Sequence, residues 1–233
     1  MKNICFSFLL FGVLVWSGLF NLSYGNVPES LNLEQILTKI DQRGQTLHAM
    51  SSVIIQKRWT EILQEFDEGE KGKFYFLKER GNVYLRKDIS NPQENTLVIG
   101  EGKVLFYQPR IKQVQRYNLG ERRNRAEFLL LGFGSNKDAL KEAYNIRFLK
   151  REKIEGRVTY SLELVPKSDK ISAYFSTIVI WIDSTLWVPV QQKLMEPTKD
   201  FILISFQDIQ LNPKMRKSNF KLKLPKDVKI VGD

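Results

Sequence analysis

The stretch from Thr96 to Tyr117, TLVIGEGKVLFYQPRIKQVQRY, sets the strongest limit on the fold. Two runs of strand-forming residues flank Gly100-Glu101-Gly102, which reads as an antiparallel hairpin. A hairpin with one wet face alternates apolar and polar residues. Here bulky apolar groups stand on nearly every position, so both faces need cover. Pro109 stops the second strand, and Lys112–Tyr117 begins another.

The rest of the chain supplies candidates for that cover. Leu33, Ile36, Leu37, Ile40, Gly44 and Leu47 recur at helical spacing, with Asn32 and Gln35 as a capping box at the start. The period then falls to two. Ser51–Thr60 sets Val53, Ile55, Lys57 and Trp59 on one side, and Gly72–Lys78 and Asn82–Lys87 follow. Glu121–Leu131 reads as helix, polar first and densely apolar after, and GFGS follows it. Lys137–Tyr144 is a second short helical piece. Strands resume at Tyr144–Arg151, Arg157–Val165, Ala173–Ile182, Val188–Glu196 and Asp200–Ile209, and Phe220–Leu224 closes the series. These runs amount to about ten strands, too many for a flat open sheet. The fold class is mainly β with α: a half-closed antiparallel barrel covered by an N-terminal helix and a helical insert. Two readings follow: a curled sheet that encloses a ligand cavity, or one whose helices fill the interior as ordinary core.

The first 25 residues carry Lys2, an apolar run, and then Ser23 and Gly25, the features of a secretory signal peptide cleaved before Asn26. The competing reading is a retained anchor, since Ile4–Phe20 reaches the spanning minimum of about 17 residues. Cys5 is the only cysteine. Its loss with the signal would leave no disulfide, thiolate metal site or cysteine nucleophile in residues 26–233, which read as a single domain. Export and a lone cysteine point to the periplasm.

The formal net charge is +10, and removal of one lysine with residues 1–25 leaves +9. For an exported protein the expected negative partner is an anionic membrane surface met transiently rather than nucleic acid. Catalytic signals are weak. His48 is the sole histidine, so a two-histidine metal site is excluded, and its place after the helix suits a dipole partner. Asp67, Glu68 and Glu70 read as solvated turn chemistry. Arg122, Arg123 and Arg125 suit either an anion or a solvated helix face. Glycine-rich phosphate loops are absent, and no enzyme, cofactor or metal is expected.

Several stretches, in order, resemble the outer-membrane lipoprotein carrier protein family (LolA-like): SNPQENTLVIGEGK, GEGKVLFYQPRIKQV, RGNVYLR at Arg80–Arg86, EFLLLGFG at Glu127–Gly134, LELVPK at Leu162–Lys167 and FKLKLPKDV at Phe220–Val228. The resemblance implies a half-closed barrel with helices as a lid over an apolar cavity, and a monomeric carrier of lipoprotein or lipid acyl chains. It also implies an inner-membrane donor complex and an outer-membrane acceptor. The family's functional arginine falls on Arg80, with Lys78 as the other candidate, and the apolar residue four beyond it falls on Tyr84. Gly81 stands where the family has proline, and the loop before Arg80 is about two residues longer.

On this reading the cavity is lined by Trp59, Phe74, Phe76, Tyr84, Leu105, Tyr107, Phe128, Leu129, Leu131 and Phe133. Gly132 and Gly134 would hinge the lid, and a guanidinium bonding lid carbonyls would latch it. The alternative function is an envelope stress sensor or scaffold of the same fold that binds a partner protein, because fold alone does not decide function.

Overall fold

The structure is a computed structural model that describes residues 31–118, 131–133 and 136–232. The capping box expected at Asn32 forms: the Gln35 amide donates to Asn32 Oδ1 at 3.0 Å, and the Asn32 amide to Gln35 Oε1 at 2.8 Å. It starts helix α1, Leu33–Thr46, whose buried stripe is Ile36, Leu37, Ile40 and Gly44. A second helix, α2 (Lys137–Ala143), is capped by Asn136, and a single turn, α3, spans Asp169–Ser172.

The strands are β1 (Ala49–Thr60), β2 (Glu65–Phe66), β3 (Glu70–Glu79), β4 (Asn82–Asn91), β5 (Asn95–Gly100), β6 (Lys103–Gln108) and β7 (Gln113–Asn118). After α2 come β8 (Tyr144–Ile154), β9 (Arg157–Pro166), β10 (Thr177–Asp183), β11 (Pro189–Met195), β12 (Phe201–Leu211) and β13 (Lys229–Val231). They form one sheet in the order β13-β7-β6-β5-β4-β3-β1-β12-β11-β10-β9-β8, with β2 beside β1. All pairs are antiparallel except β13 with β7. Among the described residues the strands thus number thirteen rather than about ten. The sheet is not closed by hydrogen bonds, because β8 and β13 are its two edges.

Three hairpins share one device. Arg80-Gly81, Glu101-Gly102 and Glu155-Gly156 all have positive φ at both residues, the two-residue turn whose twist matches paired strands. The turn at Gly81, with φ +78°, cannot accept the proline of the family pattern, because proline fixes φ near −65°.

Alternation divides the side chains between two faces. Inward, Phe74, Phe76, Leu85, Ile99, Leu162, Leu164, Ile180, Ile204 and Phe206 join Ile36, Leu37 and Ile40 of α1 in one buried cluster. Sheet and helix share this core, so the sheet curls around α1. Outward, Ala49, Leu77, Tyr84 and Val98 form a second cluster, covered by Phe220, Leu222 and Met215.

The segment expected as a final strand at Phe220–Leu224 is instead a strap. A 3-10 turn at Lys217–Phe220 interrupts it, and it joins no ladder. Its alternation is still real: Phe220 is buried, Leu222 half-buried, and Lys221 and Lys223 are exposed. The strap is anchored by Asn212, whose Oδ1 accepts from the amides of His48 (2.8 Å) and Ala49 (3.1 Å). Arg86 clips its middle, Nη1 donating to the Asn219 carbonyl at 3.0 Å.

Candidate functional site

On the inner face, α1 and residues 131–133 fill the middle of the curled sheet. The rings of Phe74, Phe133 and Phe206 meet at 5.0 to 5.9 Å between centroids. A cavity of about 640 Å³ remains at one end, where β11 and β12 meet the chain after α3. Its lining includes Leu194, Ile202, Ile204, Phe175, Pro197 and Tyr174, with Gln56, Glu196 and Thr198 as polar members. That size and that mostly apolar wall with a few polar groups are usual for a small-molecule site.

Ion pairs line the rim. Arg58 holds Glu196 through both guanidinium nitrogens at 2.7 Å each and reaches Asp200 at 3.3 Å. The hydrogen bond to Glu196 pushes the Arg58 pKa up. The Glu61 amide, at 2.8 Å, leads in holding Asp200 below its ordinary value, and Thr198 and Arg58 add to it. On the other side Lys87 Nζ donates to Glu70 at 3.1 Å and to Gln56 at 3.4 Å. The cavity therefore presents apolar walls, with each of these rim charges bonded to an opposite one, which suits an uncharged hydrocarbon. Among the described residues no group of three or more metal-ligating side chains occurs, and no helix is long and apolar enough to cross a membrane.

The residues expected to line a cavity are split by the pleat. Phe74, Phe76, Leu131 and Phe133 face inward but are buried in the main core. None of them lines the 640 Å³ space. Trp59 lies on the outer face, stacked on Phe201 at 5.8 Å and edge-on to Phe66 at 5.1 Å. Tyr84 and Leu105 belong to the outer cluster, and Tyr107 lines a groove there. Phe128, Leu129 and Gly134 lie outside the described residues, as do Arg122, Arg123 and Arg125 and the signal segment 1–25.

Arg80 sits exposed in its turn, and Lys78 is exposed near the end of β3. Neither side chain bonds residues 131–133. The contact of that kind comes from Gln192, fully buried on β11, whose Nε2 donates to the Leu131 carbonyl at 2.9 Å. Its Oε1 has no partner among the described residues. A sign of it was present in the chain: Gln192 shares the inward phase with Val190 and Leu194, the position where a polar side chain needs a reason. Gly132 has φ +82°, and a Cβ there would fall 2.6 Å from Pro189 Cγ. Its small size lets residues 131–133 lie directly on β11.

Comparison with known proteins fits this geometry. MucB has a TM-score of 0.53 at 12% identity, over 84% of this chain and 64% of that chain. An uncharacterized conserved protein from Thermus thermophilus has a TM-score of 0.54 at 11% identity, over 85% of this chain and 97% of that one. By sequence, an uncharacterized protein of Methanocaldococcus jannaschii is 18% identical over 229 residues, which is 97% of this chain and 61% of the relative. The chain thus spans less than two thirds of the length of that relative and of MucB, and these likenesses concern the fold. The family model described as "Outer membrane lipoprotein carrier protein LolA" matches residues 41–223, most of the chain, and the protein belongs to that family.

Proposed function

We propose that the protein is a periplasmic carrier that shelters the acyl chain of a lipoprotein or lipid and ferries it between membranes, without cofactor or covalent chemistry. The observation that carries this reading is the inner-face cavity of about 640 Å³, with apolar walls and a rim whose charges are paired. A chain of ~16 carbons exposed to water costs on the order of 12 kcal/mol at about 0.8 kcal/mol per methylene. Such a molecule crosses an aqueous compartment inside an apolar shelter. Membership of a lipoprotein carrier family supports the same reading. A donor complex in the inner membrane and an acceptor at the outer membrane are its expected partners.

The test is binding of a fluorescent fatty acid to the purified protein, with native mass spectrometry of protein taken from cells. Ile202 is half-buried on the cavity wall. Ile202→Trp should occupy the space and weaken binding several-fold while leaving the unfolding temperature nearly unchanged. Unaltered binding by that variant, or no lipid bound in either experiment, overturns the proposal.

A further inference from the structure

The outer face carries a second cavity, of about 740 Å³, between β3 to β6 and the strap. Its floor is Tyr75 and Tyr107 from the sheet with Met215 and Leu222 from the strap. Lys214, Lys221 and Lys223 stand exposed around it. None of these three forms an ion pair among the described residues, although Lys221 lies close enough to Glu101 to help lower its pKa. The other charges of the groove cancel. Asp88, its one acid, is bonded by Arg86 Nε at 2.8 and 2.9 Å and by the Thr96 hydroxyl at 2.9 Å. Lys217, beside the groove, is paired with Glu101. A surplus of three positive charges is left over an apolar floor.

The groove is also pre-formed. Asn212 fixes the start of the strap, Arg86 its middle, and Phe220 its far end, with the Phe220 ring 5.9 Å from that of Tyr84. A ligand would not have to order the strap, and binding loses least free energy where the site is already in place.

We propose that this groove binds a single anionic lipid, its apolar part against Tyr75, Tyr107, Met215 and Leu222 and its acidic head on Lys214, Lys221 and Lys223. The inner cavity takes a neutral hydrocarbon, and the outer groove takes an acid joined to one. The requirement for both halves excludes a bare anion. The pocket shape, closed on two sides by sheet and strap, favours one molecule over a flat bilayer surface.

The test uses protein labelled at its methionine methyls, so that Met215 reports on the groove and Met50, buried in the inner core, reports on the other face. Short-chain phosphatidylglycerol, below its micelle concentration, is added. The Met215 signal should shift to saturation, the more weakly the higher the salt, while the same concentration of short-chain phosphatidylcholine leaves it in place. Lys214→Gln, Lys221→Gln and Lys223→Gln together should weaken the effect roughly tenfold or more without lowering the unfolding temperature. Ile202→Trp should leave it intact, which separates this site from the inner cavity. The proposal is overturned if inorganic phosphate or polyglutamate moves Met215 as well as the lipid does. It is equally overturned if only phosphatidylglycerol vesicles do so, if the triple variant binds normally, or if Ile202→Trp abolishes the shift.

Discussion

The two faces of the sheet around β4 to β6 are both apolar, and the chain covers them in unlike ways. Inward, Leu97 and Val104 pack against a core of regular elements, α1 and the strands opposite. Outward, Val98 and Tyr84, with Leu105 against them, lie beneath a strap that joins no ladder. A cavity of about 640 Å³ lies inside and one of about 740 Å³ outside. Inside, each rim charge is bonded to an opposite one, Arg58 to Glu196 and Asp200 and Lys87 to Glu70; outside, Lys214, Lys221 and Lys223 form no ion pair among the described residues. The contrast shows that apolar area alone does not say what a face holds. The regularity of its cover decides how firmly the face is shut, and the balance of its rim charges decides what kind of molecule it accepts.

The sharpest way to break the comparison is to remove one aromatic anchor from each cover. Phe74 is 0% exposed inside a three-ring contact, so Phe74→Ala leaves a cavity that rigid neighbours cannot close and should cost about 3–5 kcal/mol. Phe220 is 5% exposed, but it belongs to a far smaller buried cluster than Phe74 does. Phe220→Ala should therefore cost mainly the transfer free energy, about 1.5–3 kcal/mol. Urea unfolding of both variants checks the pair. Equal costs would mean that the strap is as integral to the fold as α1.

Much of this was legible in the chain, and the failures share a cause. The capping box at Asn32, the helix at Lys137, the hairpin at Glu101-Gly102 and most strand positions follow from local spacing, and the structure has them. The apolar character of both faces of TLVIGEGKVLFY correctly called for two covers. Which residue meets which cover was not local. Trp59, Tyr84, Leu105 and Tyr107 are aromatic or aliphatic strand residues like Phe74 and Phe76, and only the phase of each strand in the finished sheet separates them. The strap has the sequence of a strand because Phe220, Leu222 and Leu224 alternate with lysines. That pattern reports burial on one side and says nothing of hydrogen bonding to a neighbour. The place of the inner cavity has no signature in the sequence, because its walls come from β11, β12 and the chain after α3, which carry no motif.

A smaller effect tests how residues 131–133 are held to the inner face. Gln192→Ala deletes the hydrogen bond to the Leu131 carbonyl and leaves that acceptor unmade inside the core, for about 1–3 kcal/mol. The loss should appear as faster cleavage of the chain near Leu131 by a protease under native conditions, more than as a lower unfolding temperature. Arg80→Leu should leave cleavage unchanged, since Arg80 is exposed in its turn. The reverse result would return the latch to Arg80.

The smallest effect concerns charge balance, and its sign separates the two rims. The Asp200 carboxyl has its pKa lowered in the fold, by the Glu61 amide first and then by Thr198 and Arg58. Its stabilisation is therefore complete above the ordinary carboxylate value of about 4 and fades as pH falls through the lower, folded value. The difference in unfolding temperature between the protein and Asp200→Asn should be largest above about pH 5 and shrink toward nothing in stronger acid. A difference that stays constant across that range would show that the carboxylate is not coupled to the rim. On the outer face the same acid acts the other way. The hydrogen bond from Lys217 holds Glu101 below its ordinary value, so protonating Glu101 frees a fourth cation beside Lys214, Lys221 and Lys223. At pH 4.5, above both lowered values, Asp200 and Glu101 keep most of their charge, so the outer groove should bind phosphatidylglycerol as it does at pH 7. A Met215 titration at pH 7 and at pH 4.5 decides the point, and weaker binding at the lower pH would contradict it.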